Sequence, residues 1–192
     1  ISAAMVWIGN LVNINVQKYP FLGGIAISVL MGVILTLPIS SAAIGVSMQI
    51  SGLAAGAATI GCCCNMVGFA VMSYRENKFG GLVAQGLGTS MLQVPNLVKK
   101  PILWLPPVIS SAILGPIATC IFKLRCGKSG GGMGTSGLVG VFDLIENNKM
   151  DFIHILGIIM LMFILPALLS FIISEYMRKK NWIKFGDMKL EN

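Results

Sequence analysis

The sequence predicts an all-α, polytopic transmembrane helical bundle with glycine-broken or re-entrant segments and an internal repeat. Three observations carry that prediction: long runs without a charged residue, charges confined to short clusters between them, and a Gly-Thr-Ser segment that occurs twice. Only 11% of the 192 residues are charged, 55% are apolar, and the mean hydropathy is +0.83. A soluble domain of this length carries more charge to cover its surface, so most of this chain is built for lipid.

The apolar segments follow in order. Residues 1–16 begin inside such a segment, with no initiator methionine and no charged flank. That excludes a signal peptide and leads us to expect an N-terminally truncated fragment with further helices upstream. Residues 19–38 form a second segment that ends at Pro38. Residues 39–74 are uncharged over too great a length for one crossing, so we expect a helix over 55–74 preceded by a half-helix or re-entrant piece. Residues 79–98, 101–122 and 152–174 each reach the roughly 20 residues that a crossing helix needs. Residues 129–143 are too short to span as a regular helix and either span irregularly or re-enter.

The formal net charge of +7 does not point to nucleic acid, because the basic residues sit at the ends of apolar runs rather than along a face with interleaved aromatics. If every segment crosses, Lys18, Arg75, Lys78, Lys123, Arg125, Lys128 and the basic residues after Met177 share one side. Lys99, Lys100 and Lys149 then face the other, which predicts a cytoplasmic C-terminus. Trp182 and Phe185 among lysines read as an interfacial anchor.

The stretch GKSGGGMGTSGLVG at 127–140 contains a GxGxxG spacing, but a dinucleotide loop needs a strand before it and a soluble βαβ unit around it. A Walker loop needs glycine at position 122, which is Phe122. The stretch has a twin instead. Gly86, Gly88, Thr89, Ser90 and Leu92 recur as Gly132, Gly134, Thr135, Ser136 and Leu138, each copy after an apolar helix and a short basic loop. Paired glycine-broken segments mark solute sites in transporters. Glycine frees the backbone from helical geometry, and the released amides and carbonyls need hydroxyls, water or a polar ligand such as a polyol. Close helix packing through small residues is the other use of such segments, and the GLAAG stretch with Gly52 and Gly56 reads as packing alone.

Candidate solute-binding residues are therefore Gly88, Thr89, Ser90, Gly134, Thr135 and Ser136, with the polar residues Asn65, Gln93, Asn96 and His154. His154, three residues into its helix, reads equally as an interfacial histidine. Pro106, Pro107, Pro116 and Pro166 are expected to kink their helices. Cys62, Cys63, Cys64, Cys120 and Cys126 show no CxxC spacing, and adjacent cysteines on a helix point to different faces. No metal, cofactor or catalytic group is expected, and the lack of a mid-helix carboxylate argues against a proton-relay pump.

The blocks LPISSAAIG, GLAAGAATIGCCCNMVGFAVMSYRENKFGGLVAQGLGTSMLQVPN and GPIAT followed by GMGTSGLVG resemble bacterial phosphotransferase-system sugar permease components, subunit IIC. That group includes the perfringolysin regulator of clostridia. The resemblance covers about residues 36–175. It implies one permease-like domain over 1–192 in the bacterial inner membrane, and a homodimer would fit permeases of this type. Its implied role is to bind a sugar or related solute and present it to cytoplasmic IIB and IIA subunits that supply the phosphate. The other function the group implies is a membrane-bound sensor that regulates gene expression without coupled transport.

Overall fold

The computed structural model describes residues 2–148 and 151–190. Its axis is helix α4 (Gly52–Met72), whose most apolar window is 94% buried. The run GLAAGAATIGCCCNMVG explains why: Gly, Ala and Cys let other backbones approach from every side. Cys62, Cys63 and Cys64 are all wholly buried because no face of α4 is left open.

Helices α2 (Pro20–Thr36) and α7 (Leu105–Pro116) pack on α4 through glycine. Gly61 lies against the Ser28 carbonyl, Gly32 against Gly61 and Asn65, and Gly24 against Gly115, so that a methyl group at any of these glycines meets a neighbouring atom. At the same level the Ser28 hydroxyl donates to the Ser111 carbonyl at 2.8 Å, tying α2 to α7. The order of contacts sets the directions. Ser28 meets Gly61 and Thr36 meets Asn65, so α2 and α4 run parallel. Ser111 meets Ser28 and Thr119 meets Pro20, so α7 runs the opposite way.

Before α2, helix α1 (Ser2–Lys18) doubles back with Val16 against Gly23. After α2, residues 37–51 bring the chain back to the start of α4 through the short helix α3 (Ser41–Ser47). The Ser40 hydroxyl caps α3 by accepting from the Ala43 amide at 3.2 Å. Gly52 is not a packing glycine: it adopts φ +63° and exchanges two backbone hydrogen bonds with Cys126. Gly56, in contrast, does lie against a backbone, that of Leu124.

Two segments enter the bundle and turn back. The first starts where α4 ends: α5 (Tyr74–Val83) and a π-helical turn (Ala84–Gly88) run inward, Thr89 is extended, and a 3-10 turn (Ser90–Gln93) with α6 (Val94–Lys99) runs out again. The second starts at the opposite end, beside the Gly52 bridge. It passes Thr59 and Cys62, turns at residues 134–138, and leaves through α8 (Val139–Asn147), whose following residue Asn148 bonds back to Arg125. Residues 79–98 are therefore not the crossing helix expected of them, because an apolar segment that goes in and out has the same length and hydropathy as one that goes through. Residues 129–143 belong to the re-entrant arrangement.

The last helical stretch is α9 (Phe152–Ile159), a π-helical turn (Met160–Ile164) and α10 (Leu165–Lys179). Together with α4, the stretches Pro101–Ile121 and Phe152–Lys179 are long and apolar enough to cross a membrane, while Pro20–Thr36 is shorter. Phe152–Lys179 is only 33% buried, so most of its surface faces outward. The prolines sit at irregular points of the helices: Pro106 and Pro107 in the first turn of α7, Pro166 just after the π turn at Met160–Ile164, and Pro116 closing α7 just before a π turn at Ile117–Ile121.

Re-entry changes the grouping of charges. Lys99 and Lys100 lie at the same end as Arg75, Lys78 and the C-terminal basic residues, since Lys100 pairs with Asp187 at 2.6 Å and Arg178 with Glu76 at 3.0 Å. Lys18, Lys123, Arg125 and Lys128 lie at the other end, by the start of α4. Lys149 lies outside the described residues.

The C-terminal tail folds back across the end of α4. Ile183 and Met188 are buried against Phe69, Met72, Leu97 and Leu103, while Trp182 and Phe185 face outward with Lys180 over the Trp182 ring at 5.4 Å. Burial opposes ionisation of Asp187, but the hydrogen bonds from Lys100 and the Lys184 amide outweigh it and hold the carboxyl below its ordinary range. A lowered folded value means that this contribution is complete above the ordinary carboxylate range and is lost as pH falls through the folded value. Limited proteolysis after residue 180 should therefore accelerate in acid, and Asp187→Asn should remove that dependence. For the core, Gly61→Ala should destabilise by about 1–3 kcal/mol through overpacking, whereas Gly80→Ala, with open space around it, should be near neutral or stabilising. Unfolding midpoints in detergent separate the two.

Candidate functional site

The tips of the two hairpins meet halfway along α4. The Thr135 hydroxyl donates to the Gly86 carbonyl at 2.6 Å and the Ser136 hydroxyl to the Gly88 carbonyl at 2.9 Å. These carbonyls belong to the π-helical turn that breaks the first hairpin, where backbone groups lack regular helical partners. So the second Gly-Thr-Ser segment satisfies the first. The two copies share sequence but not conformation: Gly134 and Gly137 take left-handed φ values of 56° and 53°, while Gly86 and Gly88 do not have positive φ. Gly134 is also pressed on α4, where an added Cβ would stand 2.7 Å from that of Cys62. Gly88 is exposed with nothing within 4 Å, so a side chain there meets no obstacle.

Around this contact lies a ring of hydroxyl and amide groups. Ser90 Oγ is 3.0 Å from Thr36 Oγ1, which lies 3.4 Å from Asn65 Oδ1, and Asn65 Nδ2 donates to the Gly61 carbonyl at 3.1 Å. Thr36, Asn65, Ser90 and Thr135 are wholly buried. Thr89, whose Oγ1 accepts from the Met91 amide, and Ser136 are half-buried at the rim beside exposed Gly88. Thr36 was missed by sequence reasoning: a lone hydroxyl near the end of an apolar run looks like an ordinary helix terminus. Gly86 was legible as part of the repeat, though not as the acceptor of Thr135. Beside the first tip, Ala70, Leu82, Gly86, Leu87 and Phe163 line an apolar groove of about 300 Å³.

Three of the candidates stand elsewhere. Gln93 donates to Gln85 Oε1 at 2.9 Å and to the Met188 carbonyl at 3.1 Å, and Asn96 donates to Gln93 Oε1 at 2.9 Å and to the Lys189 carbonyl at 3.0 Å. Both therefore belong to the junction between the first hairpin and the tail. His154 stands at the start of α9, with Nδ1 4.0 Å from Asp151 and buried without a hydrogen-bond partner.

The glycine-rich loop at 127–132 carries its own anion. Asp143 on α8 accepts hydrogen bonds from the Gly127 amide at 3.0 Å and from the Gly130 amide, and Asn147 donates to the same carboxylate at 2.6 Å. Backbone amides that a bound phosphate would need are thus taken by a side chain that ties the two arms of the second hairpin together. Among the described residues, no group of three His, Cys, Asp or Glu side chains could hold a metal ion.

Thr135→Val should leave the Gly86 carbonyl without its donor and cost about 1–3 kcal/mol. Gly134→Ala should cost about 2 kcal/mol or more through strain and collision, while Gly88→Ala should be tolerated. Denaturation of the purified variants reads all three.

No curated protein and no solved structure matches the chain. The sequence model of the family described as "Phosphotransferase system, EIIC" matches residues 1–190. Among the described residues, three helices long and apolar enough to cross a membrane fit a membrane component of such a system, and the chain belongs to the phosphotransferase-system EIIC family.

Proposed function

We propose that this chain is the solute-translocating permease component of a sugar phosphotransferase system and that its solute site opens between the two hairpin tips. The observation that carries this reading is that hairpins from opposite ends bring the twin Gly-Thr-Ser segments into direct contact halfway along α4. Paired broken segments of inverted direction are a recurrent way to build a solute site that faces each side in turn. A sugar offers hydroxyls that replace the Thr135–Gly86 and Ser136–Gly88 bonds one for one, so the tips separate without leaving polar groups unpaired. The rim residues Thr89 and Ser136 meet the solute first, and the buried set Thr36, Asn65, Ser90 and Thr135 engages once the tips part. The solute is then handed to a cytoplasmic IIB partner, which with IIA supplies the phosphate. The protein acts as one domain in the bacterial inner membrane.

The charge distribution supports a cytoplasmic C-terminus. Arg75, Lys78, Lys99, Lys100, Arg178, Lys179, Lys180, Lys184 and Lys189 gather at that end, against Lys18, Lys123, Arg125 and Lys128 at the other.

A membrane-bound sensor that regulates gene expression is the second reading. It is favoured by Asp143, the carboxylate nearest the second tip, being committed to loop amides rather than aimed at the hydroxyl ring.

Thermal unfolding of the full-length protein against a sugar panel tests the permease reading. One sugar at about a hundred times its dissociation constant should stabilise by about 2.7 kcal/mol, and Thr89→Val should diminish that ligand-induced shift, measured from a variant midpoint lowered only by the loss of the Met91 bond. No shift with any sugar, with target-gene expression altered in a deletion strain, would transfer the assignment to the sensor.

A further inference from the structure

We propose that residues 183–190 form a latch that holds the two arms of the first hairpin together and must lift before that hairpin can move. This inference rests on the reading that the hairpins are the moving parts of the permease. The tail touches both arms at once. On the inward arm, Asn77 donates to the Met188 carbonyl at 2.8 Å and accepts from the Leu190 amide at 2.9 Å. On the outward arm, Gln93 and Asn96 donate to the Met188 and Lys189 carbonyls, and Lys100 pairs with Asp187. Met188, wholly buried, pins the tail between them.

The contacts continue inward. Gln93 also donates to Gln85 Oε1, and Gln85 donates to Ser73 Oγ at 2.8 Å and to the Gly81 carbonyl at 3.1 Å. Gln85 immediately precedes Gly86, whose carbonyl receives Thr135. A chain of buried amides therefore runs from the tail backbone to the residue beside the tip. Lifting the tail takes an acceptor from Gln93 and another from Asn96, which are 0% and 8% exposed, and buried amides left unpaired must find new partners. That rearrangement loosens the outward arm from the inward one. The inward arm holds the tail at a further point: Glu76, at 1% side-chain exposure, accepts from the Gly186 amide at 3.4 Å and is itself fixed by its pairing with Arg178 of α10.

Hydrogen–deuterium exchange of the full chain in lipid nanodiscs tests the latch without needing a known solute. Asp187→Asn should raise exchange several-fold in residues 84–99 as well as 183–190, while 54–70 and 105–120 keep their wild-type rates. Asn77→Leu, which removes the two bonds that Asn77 makes to the tail, should do the same. Lys189→Ala should be silent, because the backbone carbonyl of that residue makes the contact. Wild-type exchange in 84–99 in both Asp187→Asn and Asn77→Leu would overturn the latch, as would an equal rise through α4 and α7, which marks general destabilisation. If no sugar stabilises even the wild-type protein, the permease reading fails, whereas the exchange pattern still decides whether the tail controls the hairpin.

Discussion

The fold depends on the close approach of backbones along α4. Glycine, alanine and cysteine leave this helix almost without side-chain bulk, α2 meets it through Gly32, and α7 meets α2 through Gly115. The consequence is more than tight packing. A thin central helix leaves room for two irregular segments to reach its middle from opposite ends. It also buries polar groups of both segments against protein, with Gln85, Ser90 and Thr135 wholly buried. A bulky α4 would leave no place for the hairpins, and without hairpins there is no candidate site.

The hairpins in turn are held by polar groups spent on backbone. Asp143 closes the second hairpin on its glycine loop, the amides of Gln85, Gln93 and Asn96 close the first on the tail, and Thr135 and Ser136 close one tip on the other. Each of these pairings is local, and each can be exchanged for another polar partner at low net cost while leaving none unpaired is expensive. That combination permits an exchange of partners without orphaned polar groups, which the proposed alternating access requires. Helix packing and solute lining, the two uses of the twin segments open from sequence, are thereby compatible: the same hydroxyls join the tips in this arrangement and, in the proposed function, are the groups a polyol replaces.

Much of the architecture was legible. Apolar run lengths identified α4, the 101–121 stretch and the 152–179 stretch, and self-comparison singled out the segments that prove to touch. What hydropathy could not supply was direction. Residues 79–98 read as one crossing because in-and-out and straight-through segments share length and composition, and the error then moved Lys99 and Lys100 to the wrong end. Gln93 and Asn96 read as site residues because they are polar within an apolar run, yet the reversal at Ser90–Gln93 carries them away toward the tail. No residue pattern announces that Met188 returns to pack on Phe69 and Leu97, because the tail carries too few apolar residues to show a period.

The central claim is that the two tips touch and must part for solute to bind. A cross-link tests it most directly. With exposed Cys120 replaced by serine, the pair Gly88→Cys and Ser136→Cys places one thiol on each tip, on the two residues whose backbone carbonyl and hydroxyl lie 2.9 Å apart. The account predicts that oxidation joins them, that solute binding and uptake stop, and that reductant restores both. Failure of the pair to cross-link, or full solute exchange in the cross-linked protein, would contradict it.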